Sequence, residues 1–254
     1  MLLAIDIGNT NVVLGVFEKE RLVESWRVGT KTQITSDEYA MILKDLFGFA
    51  GIEFKAIMGV IISSVVPPLL PVMTEMARKY FRIEPVVVTS ETRTGITFKY
   101  ENPKEIGADR IVNAVAAYKL FGGPLIIVDF GTATTFCAVT KKGEYLGGAI
   151  VPGIRISAEA LFQRASKLPR FELVKPPSII GKDTVSAMQA GMLYGYAGLV
   201  DRIVEQMRKE FAADAKVVAT GGLAELVARE TRSITEIRPD LTLEGLRIIY
   251  ELTR

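Results

Sequence analysis

The stretch Asp6-Ile7-Gly8-Asn9-Thr10-Asn11 lies between two short apolar segments near the start of the chain. Residues 2–5 before it and residues 12–17 after it are apolar enough to form buried strands. Gly8 lets a ligand approach the backbone of the intervening turn, whose N–H groups suit an anion. A carboxylate at the end of a buried strand is costly unless a cation or a polar network balances it. The stretch therefore predicts a phosphate-binding turn with a metal-binding acid, Asp6, beside it.

The same pattern occurs again in the second half of the chain. The stretch Asp129-Phe130-Gly131-Thr132-Ala133-Thr134-Thr135 follows the apolar segment 124–128. The next polar turn comes at the same distance in both copies, from Asp6 to Glu20 and from Asp129 to Gly143. A single Asp-x-Gly is most often an ordinary turn, whereas two copies in register through a whole hairpin indicate an internal repeat. The repeat predicts two similar domains whose acidic turns converge on one ligand.

The composition restricts the chemistry that the chain can perform. Hydrophobic residues make up 49% of its 254 residues, which suffices for one large domain or two ordinary ones. The net charge of +2, without a long basic stretch, argues against a nucleic-acid surface. The chain has no histidine, so histidine-based triads and histidine-ligated zinc are excluded. A general base near neutral pH must therefore be Asp, Glu, or a perturbed Lys or Tyr.

The single cysteine and the apolar segments predict the surroundings of the protein. Cys137 lies in an apolar strand, where a core residue is expected rather than a nucleophile. The charge of Asp6 comes too early for the apolar core of a signal peptide. No uncharged apolar stretch is long enough to span a bilayer. We therefore expect a cytoplasmic protein without a membrane partner.

The first half of the chain has an α/β pattern. In chain order we expect three strands over 2–28, a helix over 36–47, a strand over 56–62, a helix from Pro67 to Tyr80 with Tyr80 on its buried face, a strand over 85–89, a loop over 89–103 and a helix over 103–121. Thr35 and Glu38 form a capping box for the first helix, and Asn102 caps the last one. The segment Gly107-Ala108-Asp109-Arg110 would lie in the first turns of that last helix.

The second half repeats this order. The break Gly122-Gly123-Pro124 predicts the boundary between domains 1–121 and 122–254. We expect strands over 124–151, a helix to about 168, an irregular stretch over 169–181, a long helix from Thr184 to Phe211, a strand over 216–219 and a last helix from about 242. A stripe of small residues runs along one side of the long helix and consists of Ala187, Gly191 and Gly195. It allows close approach of another backbone, which belongs either to a partner subunit or to the chain's own sheet. The turn Thr220-Gly221-Gly222 suits an adenosine.

Taken together, these motifs resemble those of a known superfamily. The matching segments are DIGNTN at 6–11, YENP at 100–103, GADR at 107–110, DFGTATT at 129–135, GGAIVPG at 147–153, GKDT at 181–184 and ATGG at 219–222. The paired turns and ATGG resemble the phosphate and adenosine motifs of acetate kinase, sugar kinases, Hsp70 and actin. More narrowly, the chain is similar to type III pantothenate kinases, since the segments cover nearly the whole chain in that family's order. GADR together with the paired turns is specific to the family, whereas ATGG alone is not.

The resemblance implies both a fold and an activity. The fold is α/β, with two similar actin-like (ribonuclease H-like) domains facing a nucleotide cleft. The activity is ATP-dependent phosphorylation of pantothenate to 4′-phosphopantothenate, the first step of coenzyme A biosynthesis. The resemblance also implies a homodimer whose substrate pocket is shared between subunits. It further implies a divalent cation such as Mg²⁺ and a monovalent cation, K⁺ or NH₄⁺.

The resemblance also assigns roles by position. ATP phosphates are held by eight consecutive residues, with Asp6 near the magnesium: Asp6, Ile7, Gly8, Asn9, Thr10, Asn11, Val12 and Val13. Asp129 binds the monovalent cation and Thr132 contacts ATP. Pantothenate is contacted by Tyr100, Gly107, Ala108, Asp109, Arg110 and Thr184, and Asp109 is the general base. These roles agree with the chemistry, because phosphoryl transfer asks a protein mainly for positioning and charge neutralisation.

Several alternatives stay open at this point. Asp109 has a second interpretation as a helix-surface acid paired with Arg110, Tyr100 as a packed loop aromatic and Thr184 as a plain helix cap. Two alternative functions are a kinase of the superfamily that acts on another substrate and a nucleotide-binding regulator without kinase activity. A protein-kinase interpretation of Asp129-Phe130-Gly131 fails, because that family's catalytic loop contains a histidine. Neither a Walker A loop nor a Rossmann glycine fingerprint is present.

Overall fold

The computed structural model describes residues 1–211 and 214–254. The chain forms two compact units. The first comprises Met1–Ile96, Glu101–Lys119 and Leu241–Arg254, and the second comprises Thr97–Tyr100 and Leu120–Asp240. The chain enters the long segment of the second unit between Lys119 and Leu120, two residues before the predicted boundary at 121/122. The last segment of the chain, however, returns to the first unit, whereas the sequence prediction gave it to the second domain.

The first unit is built on a five-stranded sheet with the spatial order β3-β2-β1-β4-β5. Its strands are β1 (Leu2–Ile7), β2 (Asn11–Glu18), β3 (Arg21–Gly29), β4 (Gly59–Ser64) and β5 (Val86–Val87). β1, β2 and β3 form an antiparallel meander, and β4 and β5 continue the sheet in parallel with β1. The predicted meander over 2–28 is confirmed, while the next strand begins at Gly59 instead of residue 56.

The second unit is built on a six-stranded sheet with the order β11-β10-β7-β8-β9-β6. Its strands are β6 (Thr97–Phe98), β7 (Leu125–Phe130), β8 (Ala133–Val139), β9 (Glu144–Pro152), β10 (Lys216–Thr220) and β11 (Glu236–Ile237). β7, β8 and β9 are antiparallel, and β10 and β11 run parallel to β7. This is the topology of the first sheet with β6 added at one edge. The predicted repeat of two similar α/β domains is thereby confirmed.

The two copies differ, however, by one residue in each turn. Ile7 pairs with Val12 across the first acidic turn, whereas Phe130 pairs with Thr134 across the second, so the second turn is one residue shorter. The next turn of the hairpin is one residue longer in the second copy, and this restores the equal spacing in the sequence. Glu18 pairs with Arg21 in the first copy, whereas in the second the N–H of residue 140 donates to the carbonyl of residue 144. The equal spacing in the sequence hides these two changes, and the expectation of a common register through the whole hairpin was wrong.

Seven helices pack on the sheets within the described part of the chain. They are α1 (Ser36–Phe49), α2 (Leu69–Met76), α3 (Ala108–Phe121), α4 (Ile154–Arg164), α5 (Thr184–Phe211), α6 (Ala224–Ala228) and α7 (Leu241–Leu252). The capping box of α1 is confirmed, because Thr35 Oγ1 accepts from the Glu38 N–H at 3.2 Å and Glu38 Oε2 accepts from the Thr35 N–H at 2.8 Å. Among the described residues, no helix combines the length and apolarity that a membrane crossing requires.

Two helices depart from the sequence prediction. α2 ends at Met76 and continues as a π-helical turn, Ala77–Phe81, which shifts the helical phase. Tyr80 is consequently 37% exposed, and its hydroxyl donates to Asp37 Oδ1 at 2.8 Å. The helix predicted over 103–121 is two elements. Pro103–Glu105 forms a 3₁₀ turn capped by Asn102, and after an extended residue α3 begins at Ala108.

The first sheet is covered on both faces. Leu3, Ile5 and Ile7 of β1 point into a core that includes α1 and α2. On the other face lie α3 and α7, which pack so closely that a Cβ atom on Gly245 would overlap the carbonyl of Val112. Thr242 Oγ1 also donates to Asn113 Oδ1 at 2.8 Å. These contacts explain why the end of the chain belongs to the first unit.

Candidate active site

The first acidic turn is held by its own backbone and by Thr30. The Gly8 N–H donates to the Asn11 carbonyl at 3.0 Å and closes the turn. Thr30 Oγ1 donates to the Gly8 carbonyl at 2.6 Å, and the Thr30 N–H donates to the Thr10 carbonyl at 3.1 Å. Asn9 and Thr10 are exposed on this fixed turn, and Asp6 is half-buried at its base. The turn is therefore held in a fixed conformation, with two polar side chains exposed at its tip.

Two of the predicted phosphate-binding residues have no accessible side chain. Ile7 and Val12 are both 0% exposed in the core of the first unit. Their backbones pair with each other across the hairpin, and the Ile7 carbonyl also accepts from the Val65 N–H, so a phosphate contact at these two residues stays a prediction. Asp6, Asn9, Thr10 and Asn11 retain polar side chains that are exposed or half-buried.

The second acidic turn is enclosed by two glycines of the second unit. The Gly131 N–H donates to the Ala133 carbonyl at 3.1 Å, and the Gly153 N–H donates to the Thr132 carbonyl at 3.0 Å. Gly221 has φ +92°, and a Cβ atom on it would lie 2.6 Å from Asp129 Oδ1. Only glycine therefore fits where ATGG meets this turn. Asp129 is half-buried and Thr132 is exposed.

Thr30 and Gly153 were missed by the sequence analysis although a signal was present. They are separated by the same 123 residues as Asp6 and Asp129. Each comes directly after the third strand of its repeat. Each donates its N–H to a carbonyl at the exposed end of the acidic turn, that of Thr10 or that of Thr132. Aligning the two repeats beyond the hairpin identifies both.

Asp109 lies at the same sheet edge as the first acidic turn. The Val65 N–H, just after β4, donates to the Ile7 carbonyl at 3.0 Å. A Cβ atom on Gly107 would lie 3.6 Å from Val65 Cγ1 and 2.5 Å from Asp109 Oδ1. The Asp109 carboxylate thus lies beside Gly107, and Gly107 lies beside Val65, whose N–H is bonded to the end of β1. β1 and β4 are parallel, so their carboxyl ends meet at this edge.

The surroundings of Asp109 give its carboxylate unusual electrostatics. Burial raises the pKa of Asp109, while its hydrogen bond from the Arg110 N–H, at 2.7 Å, and the nearby Arg110 guanidinium lower it by less. Arg110 is itself only 7% exposed. The interpretation of Asp109 as an exposed helix-surface acid therefore does not describe the structure, although the Arg110 guanidinium of that interpretation does lie near the carboxylate. A desolvated carboxylate with a raised pKa is a suitable general base.

Tyr100 and Thr184 lie in the second unit, as do Asp129 and Thr132. The Tyr100 ring packs on Tyr145, with centroids 6.3 Å apart, and lies over Gly147, whose φ is +111°. Thr184 is exposed at the first residue of α5, as predicted for that helix. The predicted site residues 6–13 and 107–110 thus lie in the first unit, whereas Tyr100, Asp129, Thr132 and Thr184 belong to the second.

Metal binding in this chain rests on single carboxylates. No group of three or more Cys, Asp or Glu side chains among the described residues forms a metal site by itself. Mg²⁺ is commonly bound by one or two carboxylates together with waters and substrate phosphates. Asp6, beside the predicted phosphate-binding turn, fits that pattern.

Comparison with known proteins agrees with this geometry. A family model described as type III pantothenate kinase matches residues 2–206. A curated type III pantothenate kinase from Bacillus cytotoxicus is 55% identical over 251 residues, covering 99% of this chain and 96% of that protein.

Solved structures with the same fold are much more distant in sequence. A Baf family transcriptional activator from Campylobacter jejuni is 19% identical with a TM-score of 0.60, covering 98% of this chain and 97% of that one. Component A of (R)-2-hydroxyglutaryl-CoA dehydratase from Acidaminococcus fermentans is 12% identical with a TM-score of 0.59, covering 100% and 99%. The polyphosphate/ATP-glucomannokinase from an Arthrobacter species is 16% identical with a TM-score of 0.54, again covering 100% and 99%. These likenesses confirm the fold.

Proposed function

This chain belongs to the type III pantothenate kinase family and phosphorylates pantothenate with ATP in coenzyme A biosynthesis, and we propose that Asp109 is the general base of that reaction. The observation that carries the proposal is the position of Asp109. Its desolvated carboxylate lies at the sheet edge that carries the 6–11 turn, linked to it through Gly107 and Val65. A nucleotide cleft faced by both domains stays a prediction of the sequence.

The proposed step is a proton transfer coupled to phosphoryl transfer. As the hydroxyl oxygen of pantothenate attacks the γ-phosphorus of ATP, its O–H bond breaks and the proton passes to Asp109. The bond between the γ-phosphorus and the bridging oxygen breaks, and ADP leaves. Because burial raises the pKa of Asp109, its carboxylate is a stronger base than an exposed aspartate.

The acidic turns supply binding and charge. The exposed residues Asn9 and Thr10, with the backbone N–H groups around Gly8, would contact the phosphates. Asp6 would hold Mg²⁺, which neutralises phosphate charge when bound. Thr132 would contact ATP, and Asp129 would hold K⁺ or NH₄⁺.

By resemblance, pantothenate is assigned to residues of each unit. Gly107, Ala108 and Arg110 of the first unit would bind it next to the base, and Tyr100 and Thr184 are the contacts assigned to it in the second unit. We expect the enzyme in the cytoplasm, without nucleic-acid or membrane partners.

A homodimer is supported by the surface of the second unit. Gly191 and Gly195 are exposed on α5, and a Cβ atom on either would meet no other described atom within 4 Å. The stripe therefore does not pack against the chain's own sheet. Other apolar side chains of the same unit are also exposed, with Ile156 at 42% and Ile180 at 76%. A partner's helix could approach the small-residue stripe closely.

Gly191→Leu tests the dimer, and Gly48→Leu is its control. Gly48 is an exposed glycine of α1 with equally open surroundings among the described residues. Gly191→Leu is expected to sediment as a monomer and to lose pantothenate turnover, because leucine overpacks the contact. Gly48→Leu is expected to keep both properties. A wild type that is monomeric and fully active, or a monomeric Gly191→Leu with normal turnover, would rule out a shared pocket.

The activity itself is tested by ADP formation in the presence of Mg²⁺. We expect turnover that depends on pantothenate and a product carrying one phosphoryl group. Equal turnover without pantothenate, or a preference for a sugar in a substrate panel, would contradict the assignment. Nucleotide binding without any turnover would favour the alternative, a regulatory nucleotide-binding protein.

A further inference from the structure

Ser63 is a buried hydroxyl at the end of β4 that the mechanism above does not use. It is 0% exposed, and its Oγ has no hydrogen-bond partner among the described residues. The neighbouring Ser64 differs, because its Oγ accepts from the Val66 N–H at 3.1 Å. A buried polar atom without a partner costs about 1–3 kcal/mol and is rare in native structures. The position of Ser63 therefore calls for an explanation other than packing.

The residue directly beside Ser63 in the sheet is Asp6. The two are paired in register across β1 and β4. Their alternate neighbours Ile5 and Ile62 point into the core under α1 and α2, so Asp6 and Ser63 both point to the opposite face. Neighbouring strands lie roughly 4.8 Å apart, which places a serine hydroxyl within reach of an adjacent carboxylate after a small side-chain rotation. An ionised carboxylate only accepts hydrogen bonds, and a serine hydroxyl donates one.

The same pair recurs in the second unit. Asp129 is paired in register with Thr220 of β10, the strand that corresponds to β4. Thr220 is 2% exposed. In both repeats, then, a hydroxyl residue in the last two positions of the parallel strand is paired with the acid. This recurrence is independent of the burial of Ser63 and points to the acid as its partner.

We infer that Ser63 is a positioning residue, which donates a hydrogen bond to the Asp6 carboxylate when Mg²⁺ and nucleotide are bound. The bond holds one carboxylate oxygen and leaves the other directed at the cation. Carboxylates that bind metals are themselves generally hydrogen-bonded, and loss of such a partner typically weakens metal affinity about 10–100-fold. The inference rests on the proposed role of Asp6 in holding Mg²⁺.

The test compares three variants in the full-length protein. Ser63→Ala removes the hydroxyl. Ser63→Thr retains a hydroxyl, as threonine, which is the residue found at the equivalent position 220. Tyr39→Phe is the matched control, because Tyr39 is 1% exposed, has no hydrogen-bond partner for its hydroxyl among the described residues, and lies in the core on the other sheet face. Calorimetry measures binding of a non-hydrolysable ATP analogue over a range of Mg²⁺ concentrations, and urea unfolding without ligand reports stability.

Ser63→Ala is expected to need about 10–100-fold more Mg²⁺ for the same nucleotide affinity, with Mg²⁺-free binding and stability unchanged or improved. Ser63→Thr is expected to recover most of the loss, and Tyr39→Phe to bind as the wild type. The inference is overturned by wild-type Mg²⁺ dependence in Ser63→Ala, by a folded Ser63→Thr no better than alanine, or by an equal loss in Tyr39→Phe. If Ser63→Thr does not fold, the comparison of Ser63→Ala with Tyr39→Phe decides. Failure of the proposed function is distinct, since it would leave Mg²⁺-nucleotide binding without transfer to pantothenate.

Discussion

Gly107→Ala is expected to damage catalysis while sparing the fold. The residue immediately precedes α3, and its φ lies outside the left-handed region, so alanine is compatible with the backbone. The new Cβ would lie 2.5 Å from Asp109 Oδ1 and 3.6 Å from Val65 Cγ1. The second distance is ordinary contact. The first is not, and the atom that must move is the end of the Asp109 side chain.

The magnitude follows from that displacement. Restoring a tolerable separation of about 3.2 Å moves the carboxylate oxygen by roughly 0.7 Å, and a misplacement of about 1 Å costs on the order of 10²-fold in rate. We therefore expect kcat to fall about 10–100-fold. Moving Oδ1 weakens the hydrogen bond that it accepts from the Arg110 N–H, at a cost of about 0.5–1.5 kcal/mol. Gly→Ala offsets part of this cost, because it restricts the unfolded chain by about 0.4–1 kcal/mol. The free energy of unfolding should consequently change by less than about 1 kcal/mol.

ADP release and urea denaturation measure the two quantities, and two further variants separate the causes. Gly48→Ala, on the exposed face of α1, should gain stability with unchanged kcat, since no described atom lies within 4 Å of its new Cβ. Gly107→Ala combined with Asp109→Asn should be no slower than Asp109→Asn alone, because the alanine acts through that carboxylate. Normal kcat in Gly107→Ala, or an additive loss in the double variant, would refute the placement of Asp109 as the base.

Three further expectations concern single side chains. Asp109→Asn should lower kcat about 10²–10⁴-fold. Because the folded-state pKa of Asp109 is raised, its ionisation destabilises the fold as the pH rises, so Asp109→Asn should unfold at higher urea than the wild type at neutral pH. That advantage should shrink as the pH falls towards the ordinary value of 3.8, and its absence would contradict the burial of this carboxylate. Asp6→Asn should weaken Mg²⁺-dependent nucleotide use, and Asp129→Asn the response to potassium; cation titrations of both variants that give the same profile would contradict this division. Thr134→Val removes a fully buried hydroxyl without a partner in the described chain, at the position that Val12 occupies in the first repeat; urea unfolding should show that the free energy of unfolding rises by about 1 kcal/mol or more. A fall in that free energy would mean that the hydroxyl is paired.

Local signals in the sequence located some elements to the residue. Thr35 and Glu38 mark the start of α1, because capping is decided within a few residues of the helix end. Thr184 is the first residue of α5 as predicted, but its cap is Asp183, whose Oδ1 accepts from the Ser186 N–H at 2.9 Å. The acidic turns were found for the same reason, since an acid and a glycine after an apolar strand form a local pattern. The chemistry of the site could therefore be predicted from short segments.

Non-local packing decided what the sequence analysis missed. α3 begins at Ala108 rather than Pro103, where residues 107 and 109 fold against Val65, more than forty positions earlier in the chain. The return of α7 to the first unit depends on its contacts with Val112 and Asn113, which leave no mark in its own composition. The predicted domain boundary separated contacting segments because a break in composition records only the nearest crossing of the chain.

The two acidic turns have similar sequences but different neighbours in their sheets. Asp129 lies between Thr135 and Thr220 on its two neighbouring strands, so three oxygen-bearing side chains form a row on one sheet face. Asp6 has a hydroxyl on one side only, Ser63, and Val13 on the other. Mg²⁺ keeps several of its waters and is usually bound by one or two carboxylates together with substrate phosphates. The two acids therefore have different neighbours in their sheets, and we propose that this difference underlies the predicted division of Mg²⁺ at Asp6 and a monovalent cation at Asp129.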